Sequence, residues 1–294
     1  MLMGVRLRYM LAFSLFAMSC TLHAVAQEQC DTLDGLSLEY CRNRNAEGMI
    51  YYNKRHYTKA AEIFAELMEY DYPPAITNYG IACMNGTGVK MNTERAYNCF
   101  VKASAMGEST AQLHLATMYV LGIAVEKSDS VAFYWFARSA LQGNKKAIDT
   151  IGKMYENGTD IGVVVDSTCE LLRGYSLSGD LDALYVYGVY LYLCDSSYKD
   201  EKLGSGHYCI YSAATRGHHA SRTLLLNEAI RDGNYYNIYR WAKLLHESGD
   251  YGATKVLADC YRYGWGVPQS NRTARLLYRE AAENGNTEAE KMLK

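Results

Sequence analysis

His218-His219 and the cysteines at 30, 41, 83, 99, 169, 194, 209 and 260 are among the residues of this chain whose types could ligate a metal or form covalent bonds. Metal sites repeat Cys and His at the short separations of one helical turn or one tight loop, and no such partner accompanies the histidine pair. Gly86-Thr87-Gly88-Val89-Lys90 has the glycines and lysine of a phosphate cradle without its spacing or the following hydroxyl. No Gly-x-Ser-x-Gly or His-Glu-x-x-His occurs. The expectation is therefore a noncatalytic chain with no cofactor and no metal.

The two ends of the charge scale are equally uninformative about catalysis. A formal charge of -2 with scattered lysines and arginines excludes the basic surface that nucleic acid attracts. Arg6 and Arg8 precede a largely apolar run to Met18, and Ala24-Val25-Ala26 offers a cleavage point, so residues 1–26 read as a signal peptide. That predicts export to the periplasm or the cell exterior. A lipid anchor at Cys20, after Ala17-Met18-Ser19, is the second reading. Neither run approaches the roughly 20 apolar residues of a membrane span. In an exported chain the eight cysteines other than Cys20 suggest disulfides, the alternative being small apolar fillers of a helical core.

Such residues need elements to hold them, and the chain writes those elements repeatedly. Gly107, Gly143, Gly179, Gly217, Gly249 and Gly285 follow one another at intervals of 36, 36, 38, 32 and 36. Eight residues before each stand Cys99, Trp135, Leu171, Cys209, Trp241 and Leu277, which marks a core position. Apolar residues recur at helical spacing in two runs per unit, for example Ala111, Leu115, Tyr119 and then Ala132, Trp135, Phe136, Ala140. Glycine loops at 85–88, 157–159 and 263–266 would end the first helix. Asn92, Ser128 and Ser270 would cap the second, and Asn144, Asp180, Asp250 and Asn286 the next first helix. Each unit is thus an antiparallel helical hairpin that must stack on neighbours to bury its apolar face.

The order Ala-x-x-x-Leu-Gly-x-x-Tyr-x-x-Gly-x-Gly-Val followed by Ala-x-x-Trp-Tyr-x-x-Ala-Ala-x-x-x-Gly resembles the Sel-1-like repeat, a relative of the tetratricopeptide repeat. Ala75, Gly80, Gly86, Gly88, Val89, Ala96 and Ala103 carry it in the first full unit. Ala253, Leu257, Tyr261, Gly264, Gly266, Val267, Ala274, Tyr278 and Ala281 carry it in the last. The resemblance implies an all-α, right-handed α/α solenoid of antiparallel helix pairs. The expected organisation is a lead-in at 27–40, a tetratricopeptide-like capping hairpin at 41–73, and an array over 74–294. Its units are 74–107, 108–143, 144–179, 180–217, 218–249 and 250–285, followed by a C-terminal cap. The fourth unit, with Cys194-Asp195-Ser196-Ser197 in place of a glycine loop, and the fifth are expected to be irregular.

By the same resemblance the chain is a protein-interaction scaffold that holds a peptide or protein segment on a concave face lined by first helices. The register places Lys153, Glu156, Tyr185, Val189, Tyr192, Arg222, Lys255, Arg262 and Tyr263 there, with Tyr185 and Tyr192 seven apart on one face. A cell-envelope glycan-binding or hydrolytic protein using Glu156 and Tyr192 is the rival, and a purely structural stack the third reading. For the cysteines, Cys83 and Cys99 fall at facing core positions of one hairpin and are expected to bridge. Cys194 and Cys209 also share a hairpin, but Cys194 lies about one turn past the core position, and a Cα separation over roughly 7 Å would forbid that bond. Cys30 and Cys41 could tie down the lead-in. Cys169 and Cys260, in distant units, are expected to be buried thiols.

Overall fold

The structure, a computed structural model, describes residues 35–162, 166–194 and 199–293. The expected signal peptide, Cys20, Cys30 and residues 195–198 lie outside them. The described residues are helical hairpins throughout, apart from one short β-hairpin, and they divide into two compact units at Ala147 and Ile148.

The first unit contains α1 (Gly35–Asn53), α2 (Tyr57–Leu67), α3 (Pro73–Asn85), α4 (Thr93–Ala105), α5 (Ser109–Leu121) and α6 (Asp129–Ala140). They pair as α1/α2, α3/α4 and α5/α6, each helix packing on the next. Tyr57 opens α2 after the tight Arg55 turn, and prolines occupy the first positions of α3, where their missing N–H costs nothing. Asn92 caps α4 and Ser128 caps α6, each accepting a backbone N–H three residues on. Gly86 and Gly122 end α3 and α5 in the left-handed conformation. Among the described residues the first helix, α1, runs from Gly35 to Asn53.

Two close approaches govern how tightly these hairpins nest. Inside a hairpin, Gly48 of α1 faces Phe64 of α2, and Gly80 of α3 faces Phe100 of α4. A Cβ would come within 2.6 and 2.8 Å of those rings. Between hairpins, Gly88 lies against the backbone of Tyr57 at the start of the preceding second helix, where a Cβ would stand 2.1 Å from the Tyr57 carbonyl oxygen. The aromatic and small residues so admitted form one core around Phe64, Ile76, Phe100, Leu115 and Met118. In the α5/α6 loop the place of Gly88 is taken by Ala124, which holds a left-handed φ of 59°.

The second unit takes α7 (Lys145–Glu156) from Ile148 onward, then α8 (Asp166–Ser178), α9 (Leu181–Cys194), α10 (Gly206–Thr215), α11 (His219–Arg231), α12 (Tyr235–His246), α13 (Tyr251–Tyr263), α14 (Asn271–Glu283) and the short α15 (Thr287–Lys291). Asp180, Asp250, Ser270 and Asn286 accept the N-terminal amides as their positions predict. Gly266 repeats the Gly88 contact, with its Cβ position 2.5 Å from the carbonyl oxygen of Tyr235 at the start of α12. One core assignment fails. Leu171 is 38% exposed and Leu172 is buried in its place, a one-residue rotation of α8 relative to the repeat.

The irregular fourth hairpin is organised by a buried carboxylate. Strands β1 (Lys199–Asp200) and β2 (Gly204–Ser205) pair antiparallel after α9, and Ser205 caps α10. Asp200 accepts from Arg173 at 2.6 Å, Tyr187 at 3.0 Å and the amides of Lys202 and Leu203 at 2.8 and 3.0 Å. Burial pushes its carboxyl up, but these donors together outweigh burial and hold it well below the usual carboxylate range. The turn delivers Gly206 against Gly188, whose carbonyl lies 2.5 Å from where a Gly206 Cβ would be. α9 and α10 therefore cross at backbone contact, and every residue of α9 from Ala183 to Leu191 is buried.

Two stability measurements check this account. Gly88→Ala should cost roughly 2–5 kcal/mol, from left-handed strain plus the backbone clash, and Gly107→Ala, with nothing near its Cβ position, only about 1 kcal/mol; urea midpoints would show equal losses if the interhairpin contact were unimportant. Asp200→Ala should cost about 3 kcal/mol by stranding Arg173 and Tyr187. Because the folded carboxyl is depressed, its contribution is present above the unfolded value near pH 3.9 and fades as pH falls below it. The variant's stability should lack that acid-side decline.

Candidate partner-binding site

The first helices of the second unit lie side by side and bring two of the sequence candidates together. Tyr192, near the end of α9, rests on Tyr155 of α7 with ring centroids 4.2 Å apart and planes tilted by 38°. Glu156, next on α7, accepts from Asn227 of α11 at 2.9 Å. That bond joins α7 to α11 across α9, so the face is concave at this end. The carboxylate of Glu228, whose charge acts on the Tyr155 hydroxyl, meets His207 at 3.3 Å. Tyr155 is buried beneath this surface, whereas Tyr192 keeps 39% of its area exposed and Lys153 reaches solvent one turn earlier on α7.

The electrostatics follow from these contacts. Burial, then the charge of Glu228, raises Tyr155 far above the ordinary phenol range, so it remains a donor at every physiological pH. The hydrogen bond to Glu228 raises His207, and the His207 bond lowers Glu228. The arrangement offers an exposed ring, an amide, two carboxylates and a lysine on one inward-curving surface. It has the parts of a recognition surface for a polar segment with an apolar or aromatic side chain.

The other sequence candidates go elsewhere. Tyr185 is 1% exposed and Val189 fully buried, so neither is on a free face. The Tyr185 hydroxyl fills the space over Gly152 of α7, 2.6 Å from where a Cβ would be, and its ring packs at 4.9 Å on His218. A glycine on the neighbouring helix thus turned a face position into a core position. Arg222 is spent on structure: it donates to the carbonyls of Ala214 and Leu244, which end α10 and α12. Lys255 bridges Asp259 at 3.0 Å and Glu288 at 3.5 Å, holding α15 on α13. Arg262 and Tyr263 join a separate aromatic group, with the guanidinium 5.5 Å from the Tyr263 ring. There Tyr263 meets Trp265 at 5.2 Å, and Trp265 stacks on Tyr235 at 5.5 Å and 9°.

The expected disulfides are absent among the described residues. Cys83 and Cys99 are separate thiols in the core of the α3/α4 hairpin, and Cys41 is a buried thiol. Cys209 points to the Leu203 carbonyl and Cys194 to that of Gly162, so their sulfurs are directed to different loops. His218 is a helix cap. Its Nδ1 accepts the Ser221 amide, which leaves the Nε2 proton to donate to Asp182 at 2.9 Å. No group of three His, Cys, Asp or Glu side chains among the described residues is arranged to hold a metal ion. No helix among them is long and apolar enough to cross a membrane.

Sequence reasoning gave no role in this surface to Asn227, Glu228 or His207. Their signal was available only in part, since Asn227 and Glu228 sit near the end of a first helix as Glu156 does. Tyr235 and Trp265 were equally unassigned, although Trp265 stands inside a glycine loop.

Consecutive helical hairpins, each packed on the next within a unit, define a helical-repeat fold. The family model described as the Sel1 repeat matches residues 73–108, 109–144 and 253–286, so the chain carries Sel1 repeats at those three places. It is similar to Chitin synthase regulatory factor 4 of Schizosaccharomyces pombe, 25% identical over 213 residues that cover 70% of this chain and 32% of that protein. It is also similar to Chitin synthase regulator SKT5 of Saccharomyces cerevisiae, 31% identical over 102 residues covering 34% and 15%. The chain thus spans a third or less of the curated relatives it matches. Among solved structures it is similar to a Sel1 repeat protein from Oxalobacter formigenes, with 23% identity, coverage of 85% and 86%, and a TM-score of 0.48. A further likeness is to c5321, a protective antigen of uropathogenic Escherichia coli displaying an SLR fold, with 21% identity, coverage of 87% and 56%, and a TM-score of 0.42.

The His207–Glu228 contact gives a pH dependence with a definite sign. A raised His207 contributes stability that is full below the unfolded value near pH 6.5 and is lost as pH rises through the folded value. A lowered Glu228 contributes above about pH 4.3 and is lost as pH falls through its folded value. The link is therefore complete only between those limits. An NMR titration should find the His207 imidazole titrating above the ordinary histidine range and returning to it in Glu228→Gln; an unchanged midpoint in the variant would contradict the contact.

Proposed function

We propose that this chain is a noncatalytic interaction scaffold, exported to the periplasm or cell exterior, which holds a peptide or protein segment on the first-helix face of its second unit. One observation carries the reading: Tyr192 stands exposed on Tyr155, beside Glu156, where α7 and α11 converge over the end of α9. A rigid aromatic whose underside is already ordered offers contact area at little further entropic cost. The Sel1 repeats support a protein partner, because such repeats typically serve protein–protein contact. The fungal relatives are named as regulators of chitin synthase, which fits action through contact with another protein.

A second reading, glycan binding in the cell envelope, is favoured by the partly exposed stack of Tyr235 on Trp265 beside Tyr263. Flat aromatic faces with polar rims suit sugar rings as well as side chains.

Cross-linking pull-downs from the envelope and secreted fractions separate these readings. The parent should capture one protein that a Tyr192→Ala, Glu156→Gln variant of unchanged urea midpoint loses by at least about tenfold, the equivalent of ~1.4 kcal/mol. Equal capture by parent and variant would refute this site, and retention on insoluble polysaccharide that Trp265→Ala abolishes would favour the second reading.

A further inference from the structure

The second helices of the second unit form a face of their own. Arg240 of α12 donates to the Tyr211 hydroxyl of α10 at 2.6 Å, and His246 of α12 lies 3.8 Å from Glu280 of α14. On α14, Arg272, Arg275 and Arg279 recur at helical spacing, with Leu276 among them on the same side. All three arginines are exposed, and Leu276 keeps 56% of its area open to solvent. Several other arginines are taken up by the fold, Arg44 by Glu66, Arg173 by Asp200 and Arg222 by two helix ends. Among the described residues no ion pair, hydrogen bond or ring contact engages Arg272, Arg275 or Arg279.

The stripe also runs against the helix it stands on. The first turn of α14 contains Arg272 and no acidic residue, and its last turn contains Glu280 and Glu283 and no basic one. A helix dipole favours the reverse, anions at the N-terminal end and cations at the C-terminal end. Neither an internal partner nor the helix itself accounts for the three guanidiniums. Glu280 is turned to His246, and Glu283, one turn past Arg279, sets the C-terminal limit of the stripe.

We infer that the exposed side of α14 docks an acidic helical segment of a partner protein. Carboxylates three and four residues apart on such a segment match the arginines, which span about 10 Å along α14. The planar guanidinium fork takes a carboxylate through two parallel N–H donors, a geometry that lysine lacks. An apolar side chain between those carboxylates covers Leu276. A lipid surface is the poorer occupant, because it takes a broad apolar helix face. That face of α14, with Ala274, Leu277, Tyr278 and Ala281, is buried within the hairpin. Tyr192 lies on a first helix and this stripe on a second one, so the two surfaces are separable by mutation.

The probe is a fluorescein-labelled alanine–leucine peptide with glutamates at three- and four-residue spacing, read by anisotropy against the full chain. Saturable binding is expected at about 50 mM salt, weakening steeply toward ~0.5 M, and the glutamine version of the peptide should not bind. Replacing the three arginines together, Arg272→Gln, Arg275→Gln and Arg279→Gln, should lower the affinity by about tenfold. Leu276→Ser should lower it by about threefold. Both variants should keep the parent's urea midpoint, and Tyr192→Ala with Glu156→Gln should bind the probe as the parent does. Equal binding by the arginine variant or by Leu276→Ser would overturn the docking on α14, as would a glutamate peptide that fails to bind. Retention on phosphatidylglycerol vesicles that the peptide does not displace would assign the stripe to lipid instead.

Discussion

Backbone contact at glycine sets how near one hairpin can approach the next, and the packing in each unit depends on that distance. Gly88 against Tyr57 and Gly266 against Tyr235 are the same contact in two units. A helical hairpin exposes an apolar face that only a neighbour can bury, so any added separation would open the core along the whole interface. Glycine meets two demands there at once, a left-handed φ and the absence of a Cβ. Ala124 meets the first at a cost of about 1–2 kcal/mol, which shows that conformation alone can be tolerated where the approach permits it.

The same economy of space explains where the second unit departs from the repeat. Gly188 and Gly206 bring α9 and α10 to backbone contact, and Gly152 admits the Tyr185 hydroxyl from α9. α9 is consequently enclosed on all sides over most of its length. Its last turn emerges, and that turn carries Tyr192 and Cys194. Enclosure of the helix thus concentrates what is accessible at one end, next to the carboxylates of α7 and α11. The carboxylate of Asp200 replaces the missing glycine loop by gathering Arg173, Tyr187 and two amides.

Polar side chains in this chain are largely committed to holding elements together. Arg222 ends two helices, His218 begins one and is braced by Asp182, and Lys255 secures the last short helix through Asp259 and Glu288. Each looks like a surface residue in a linear register, because register assigns a face to a residue but not a partner. What is left for recognition is the small set that keeps a ring, a carboxylate or a guanidinium facing outward.

The sequence by itself determined the hairpins, their order and their caps. Glycine spacing, apolar periodicity and a side-chain oxygen at each helix start are local properties, and Asn92, Ser128, Asp250 and Ser270 act where their positions predict. Tertiary structure alone decided that Tyr185 and Val189 are core, that Leu172 rather than Leu171 faces inward, and that Cys194 meets the Gly162 carbonyl instead of Cys209. These depend on the rotation and separation of neighbouring helices, which a missing side chain at Gly152, Gly188 or Gly206 sets from the opposite element. A periodic pattern read along one helix carries no record of that distance.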